Sequence, residues 1–139
     1  MALWWQLISG FILGGGFALL AWAAGALTRN GALTATLVGG LIFWLGGMHW
    51  ALLLLLFFLT SSGWSRFSRR RKAPLAEKFS KGSRRDWGQV AANGGLGALL
   101  VVGHALWSGQ GWVWVAYAGA LAAVNADTWA TELGVLSRI

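Results

Sequence analysis

Long uncharged stretches alternate with short polar breaks along this chain, and the lengths of those stretches set its architecture. From Leu7 to Leu27 no residue is charged, and Arg29 with Asn30 ends the run. A helix needs about 20 apolar residues to cross a bilayer core, so 7–27 predicts a first span. Gly31 to Leu59 is again uncharged, and as one helix it would measure about 43 Å, well beyond a core of about 30 Å. Two spans are therefore expected, over 31–47 and 49–64. Their break falls at Gly46, Gly47, Met48 and His49, where paired glycines weaken a helix. A polar segment over 65–87 follows, then expected spans over 88–107 and 112–136, joined by a tight turn at Ser108, Gly109, Gln110 and Gly111. Leu52 to Phe58 is an unbroken apolar run without the period-two alternation of a barrel strand. Backbone polar groups inside lipid must be satisfied within the segment itself. The pattern thus predicts an all-α, multi-pass transmembrane protein of about five spans, in one membrane domain over 1–139.

Composition agrees, with 57% hydrophobic residues and only 11% charged ones, outside the range of a soluble domain. Charge then orients the bundle. Nine of the eleven basic residues lie in 65–87 (Arg66, Arg69, Arg70, Arg71, Lys72, Lys78, Lys81, Arg84 and Arg85), against the two acids Glu77 and Asp86, which is the whole chain's net charge of +7. By the positive-inside rule this loop faces the cytosol and the N-terminus lies outside. A multi-pass protein of the plasma (inner) membrane is expected. Splitting 31–59 into two spans also brings Arg29 and Arg138 to the loop's side, whereas a merged span would oppose Arg29 to it. Trp4, Trp5, Trp44, Trp50, Trp107, Trp112 and Trp114 then fall near the outer ends, and Trp64 and Trp87 near the inner ones.

The loop over 66–85 is also expected to be drawn to the anionic leaflet. Nucleic acid is not an expected partner, because only Phe67 and Phe79 interleave the basic stretch. The chain has no cysteine, which excludes disulfides, zinc–thiolate sites, Fe–S clusters and a catalytic thiol. No G-x-x-x-x-G-K-[ST] loop is present. Met1 to Gln6 carries no basic residue, so the first span reads as retained rather than as a cleaved leader. Gly14, Gly15, Gly16, Gly25, Gly39 and Gly40 are expected to let helices approach closely, and His49 and His104 to be interface residues.

Asp127 and Glu132 are the only acids outside the basic loop, and both sit in or beside the last apolar segment, where an ionised carboxylate is costly. On a helix Asn125, Thr128 and Glu132 share a narrow face, with Asp127 and Thr131 beside them. Two carboxylates with hydroxyls and an amide are hard oxygen donors that suit Mg²⁺ bound with a phosphate substrate. The same acids also fit pairing with loop arginines or capping at the interface. At the start of the fourth span Arg85, Gln89 and Asn93 recur every fourth residue, followed by Gly94 and Gly95. That face is suited to holding phosphate oxygens and equally to snorkelling and inter-helix hydrogen bonds.

Two segments carry a resemblance. Arg85-Asp86-Trp87-Gly88-Gln89-Val90-Ala91-Ala92-Asn93-Gly94 and Ala126-Asp127-Thr128-Trp129-Ala130-Thr131-Glu132-Leu133-Gly134-Val135-Leu136-Ser137 resemble signature segments of the integral-membrane family catalogued as domain of unknown function 92. That family includes plant phytyl-phosphate kinase and animal transmembrane protein 19. Gly31-Ala32 with Gly39, and Ser61-Ser62 ahead of a basic loop, are similar too. The resemblance implies an isoprenoid (phytyl-type) phosphate kinase, moving a phosphate from a nucleoside triphosphate, CTP or ATP, to a lipid monophosphate with Mg²⁺ at the cytosolic face. It implies Asp127 and Glu132 at the metal and Arg85, Gln89 and Asn93 at the phosphate, with Thr128 and Thr131 beside them. Family members continue into a further Gly-rich motif and more spans, so an N-terminal fragment is expected. Two other functions fit the residues: a small transporter or channel subunit binding a cation or proton at Asp127 and Glu132, and a non-catalytic lipid-binding scaffold.

Overall fold

The computed structural model describes residues 2–72 and 84–137; Pro74, Glu77, Phe79, Lys78, Lys81 and Arg138 lie outside the described residues. Five helices run α1 (Ala2–Ala23), α2 (Arg29–Gly46), α3 (Met48–Lys72), α4 (Trp87–Leu106) and α5 (Gly111–Leu136), and no strand occurs among the described residues. Three stretches, Leu3–Ala23, Met48–Ser68 and Trp87–Leu106, are long and apolar enough to cross a membrane.

Local sequence explains the helix ends. The α1–α2 turn passes through Gly25, whose φ of 76° favours glycine, and Thr28 caps α2 by accepting a hydrogen bond from the Gly31 N–H at 3.0 Å. Gly47, at φ 79°, separates α2 from α3, inside the glycine pair singled out above. Helix α3 runs on through Arg66 to Lys72, into the segment over 65–87 that the charge pattern predicts as a loop. Arginine and lysine are good helix formers, and the chain has no proline before Pro74 to stop them. Asp86 closes a capping box with Gln89 at the start of α4: the Gln89 N–H donates to the Asp86 carboxylate at 2.9 Å, and the Asp86 N–H donates to Gln89 Oε1 at 3.1 Å.

Neighbouring helices alternate in direction, so one end of the bundle carries Thr28, Arg66 and Arg85 and the other carries Trp50, His104 and Trp114. Helices α2, α4, α5 and α3 pack in a ring, with α1 laid against α2. Ile42, Phe57, Val101, Tyr117 and Leu121 fill the ring, and the buried Tyr117 hydroxyl donates to the Trp50 carbonyl at 2.7 Å. Trp50, expected at an interface, is instead buried among His104, Trp114 and Tyr117. The outward surface is apolar, with Leu20, Leu99 and Val115 exposed, as a bilayer-facing surface requires.

The α1–α2 contact shows which glycines serve packing. A Cβ on Gly14 would lie 3.2 Å from the Gly40 backbone nitrogen, one on Gly10 3.0 Å from the Gly40 carbonyl, and one on Gly40 2.7 Å from the Phe11 ring. These small residues bring two backbones together where lipid offers no hydrophobic drive for association. Gly16 and Gly39 have no such role, since a Cβ there meets nothing within 4 Å. The sequence did not separate the two groups, because spacing alone does not show which helix face meets a neighbour.

Candidate functional site

Arg85 sits where three elements converge. Its N–H donates to the Ala26 carbonyl at 2.9 Å and its carbonyl accepts from the Thr28 N–H at 3.0 Å, which makes an isolated parallel bridge between Leu27 and Arg85. Gly31 makes this approach possible, because a Cβ there would run into the Arg85 carbonyl. The guanidinium reaches α3: Nη2 donates to Ser61 Oγ at 2.6 Å and Nη1 to Ser62 Oγ at 3.1 Å, and the Phe58 ring lies 5.3 Å away. Burial pulls the Arg85 pKa down from its ordinary value, and the negative charge of Glu132 on α5 opposes that shift.

Arg85 therefore precedes α4 rather than lying on it, and the face expected to run through Arg85, Gln89 and Asn93 divides. Gln89 is exposed and committed to the capping box. Asn93 is half-buried and, with Gly94 and Arg85, lines an apolar cleft of about 320 Å³ walled by α1, α2, α3 and α4. Arg84 turns to the α1 terminus, where its Nη2 donates to the Trp22 carbonyl at 3.4 Å.

On α5 the polar wedge divides in the same manner. The Asn125 amide donates to Thr60 Oγ1 on α3 at 3.3 Å, the Thr128 hydroxyl donates to the Val124 carbonyl at 3.0 Å, and Trp129 stacks on Trp64 with ring centroids 5.7 Å apart. Glu132 is half-buried and near enough for its charge to act on Arg85. Asp127 and Thr131 are exposed. Five residues along a helix place Asp127 and Glu132 about 140° apart around the axis and about 7.5 Å along it, so the two side chains diverge. No group of three or more His, Cys, Asp or Glu side chains able to hold a metal occurs among the described residues. The oxygen donors suit Mg²⁺ in kind, and a site holding Mg²⁺ through one carboxylate and phosphate oxygens is the usual form for this ion.

Ser61, Ser62, Thr28 and Phe58 join the site without having been assigned a role from sequence. The available signal was the pair Ser61-Ser62 at the end of an apolar run; their partner is 23 and 24 residues distant in the chain, beyond the reach of helical periodicity.

A family profile described as "Integral membrane protein DUF92" matches residues 12–138. Protein PGR of Arabidopsis thaliana is 32% identical over 145 residues, an alignment covering 95% of this chain and 50% of that protein. The chain thus spans about half the length of that curated relative. No solved structure matches the chain.

Proposed function

Because the chain belongs to the integral-membrane DUF92 family, we propose that it serves in phosphoryl transfer from a nucleoside triphosphate to an isoprenoid monophosphate at the cytosolic membrane face. The observation that carries this reading is the Arg85 guanidinium, held across Ser61 and Ser62 at the wall of an apolar cleft. A fixed planar cation beside an apolar wall suits an amphiphile with an oxyanion head. In the reaction, a lipid phosphate oxygen forms a bond to the terminal phosphorus as the bridging P–O bond breaks. The products are a lipid diphosphate and a nucleoside diphosphate.

Such transfer depends on positioning and charge neutralisation. Arg85 holds and orients the acceptor phosphate, and Ser61 and Ser62 fix the direction of its guanidinium. Glu132 and Asp127, which diverge on α5, are alternative candidate carboxylates for Mg²⁺, which would supply charge neutralisation on the phosphates when bound. Thr128 and Thr131 are candidate phosphate contacts, Asn93 lines the cleft beside Arg85, and Gln89 acts through its cap on the start of α4. The positive-inside rule puts the arginine end in the cytosol, where nucleotide is available.

The test is diphosphate formation by the full-length protein in liposomes supplied with isoprenyl monophosphate, Mg²⁺ and either ATP or CTP. Transfer should occur with one of the nucleotides. Neutralising whichever acid holds Mg²⁺, by Asp127→Asn or Glu132→Gln, should lower it by about a hundredfold or more, the scale of losing one electrostatic contact to the transition state. Cation flux without nucleotide, and no transfer with either nucleotide, would replace this reading with a carrier.

A further inference from the structure

Resting on the lipid-phosphate reading, we propose that the protein holds its lipid across two joined cavities, with a single apolar chain in the α1–α4 cleft and the phosphate head beside Arg66 and Arg85. The second cavity, of about 330 Å³, is lined by Ser62, Ser65, Arg66 and the turn at Gly25. Phe17, Phe58 and Arg85 line both cavities. The two phenyl rings meet edge to face at 5.4 Å, and each faces both spaces.

The linings specify the occupant. Apart from Arg85 and Asn93, the cleft presents apolar side chains and glycines. The second cavity has apolar side chains and glycines over most of its wall and adds two arginines and two serines, and no carboxylate lines either space among the described residues. The cleft lies at the small end of ligand pockets, which favours one chain over the paired chains of a bilayer lipid. Arg85 uses two of its five N–H donors on Ser61 and Ser62. Arg66 spends one on the Ala24 carbonyl at 3.2 Å. Donors remain on both for a phosphate. A chain leaving bilayer for cleft exchanges one apolar surrounding for another, so the cleft orients the lipid and the arginines supply the affinity.

Two glycines allow the site to be filled by mutation. Gly39 lines the cleft and Gly63 the second cavity, and a Cβ on either meets nothing within 4 Å. Gly16 is equally open and lines neither. The experiment uses the protein in nanodiscs with an isoprenyl monophosphate carrying a photoreactive group in its chain, and maps the labelled residues by mass spectrometry. Labelling is expected at Val38 and Leu55 in the cleft, displaced by excess unlabelled isoprenyl monophosphate but not by inorganic phosphate or the free isoprenol. Gly39→Trp and Gly63→Trp should each cut it about tenfold, a change of about 1.4 kcal/mol in binding, and Gly16→Trp should leave it unchanged.

Labelling confined to outward residues such as Leu19, Leu99 and Val115, or displacement by the free isoprenol, would overturn the site. If Gly39→Trp fails to fold, Gly63→Trp and the competition series decide alone. Specific cleft labelling in a protein without phosphoryl transfer upholds the site and removes the kinase reading, and undiminished transfer in folded Gly39→Trp does the reverse.

Discussion

Arg85 is fixed at its backbone by Ala26 and Thr28 and at its head by Ser61 and Ser62, so its position is set before any ligand arrives. Lysine would keep the charge and lose the planar fork that bridges two hydroxyls. Arg85→Lys should therefore lower phosphoryl transfer by about tenfold or more, the scale of one charge-assisted hydrogen bond of about 1.5–3 kcal/mol. Arg70→Lys with Arg71→Lys should leave the rate unchanged, because attraction to an anionic leaflet is met equally by either cation. Rates of the two variants in the same liposomes check this, and a silent Arg85→Lys would put the phosphate elsewhere. Arg85 itself was legible in the sequence as a candidate. Its geometry was not: the Asp86 cap starts α4 after it, so the four-residue spacing to Gln89 is not a shared helix face.

Among the elements, the α1–α2 pair depends on glycine more than any other contact. Gly40→Ala would press a methyl group into the Phe11 ring, which a Cβ at that position approaches to 2.7 Å. Such overpacking costs about 1–3 kcal/mol. Gly16→Ala meets nothing and gains helix propensity. Thermal unfolding in detergent should show a lowered Tm for Gly40→Ala and an equal or raised Tm for Gly16→Ala; the reverse order would mean that α1 does not pack on α2 as described. Helix number and the α2–α3 break were readable from the uncharged lengths and the glycine pair. The inward and outward faces were not, because nearly every side chain in these helices is apolar and the usual amphipathic signal is weak where both lipid and core are oily.

For the whole molecule, the alternating helices gather Arg66, Arg84, Arg85 and Glu132 at one end, where the sequence had already placed the chain's net charge of +7. A reporter inserted after Lys72 should be cytosolic and one within Ser108–Gly111 should not; both on one side would contradict the five-helix alternation across the membrane. Membership of the DUF92 family was legible in the motifs around Arg85 and Asp127, since they combine residue types that no packing rule requires together. The divergence of Asp127 from Glu132 was obscured by their nearness in sequence, since five residues turn a helix through about 140° beyond one full turn. The proposed function requires that Arg85 receive the phosphate of a lipid. It is tested most directly by ³¹P NMR of an isoprenyl monophosphate titrated with the protein in nanodiscs. A saturable shift and broadening of the phosphate resonance is expected with the wild-type protein, and its loss in Arg85→Gln with the fold retained by circular dichroism. An identical titration for Arg85→Gln would contradict it.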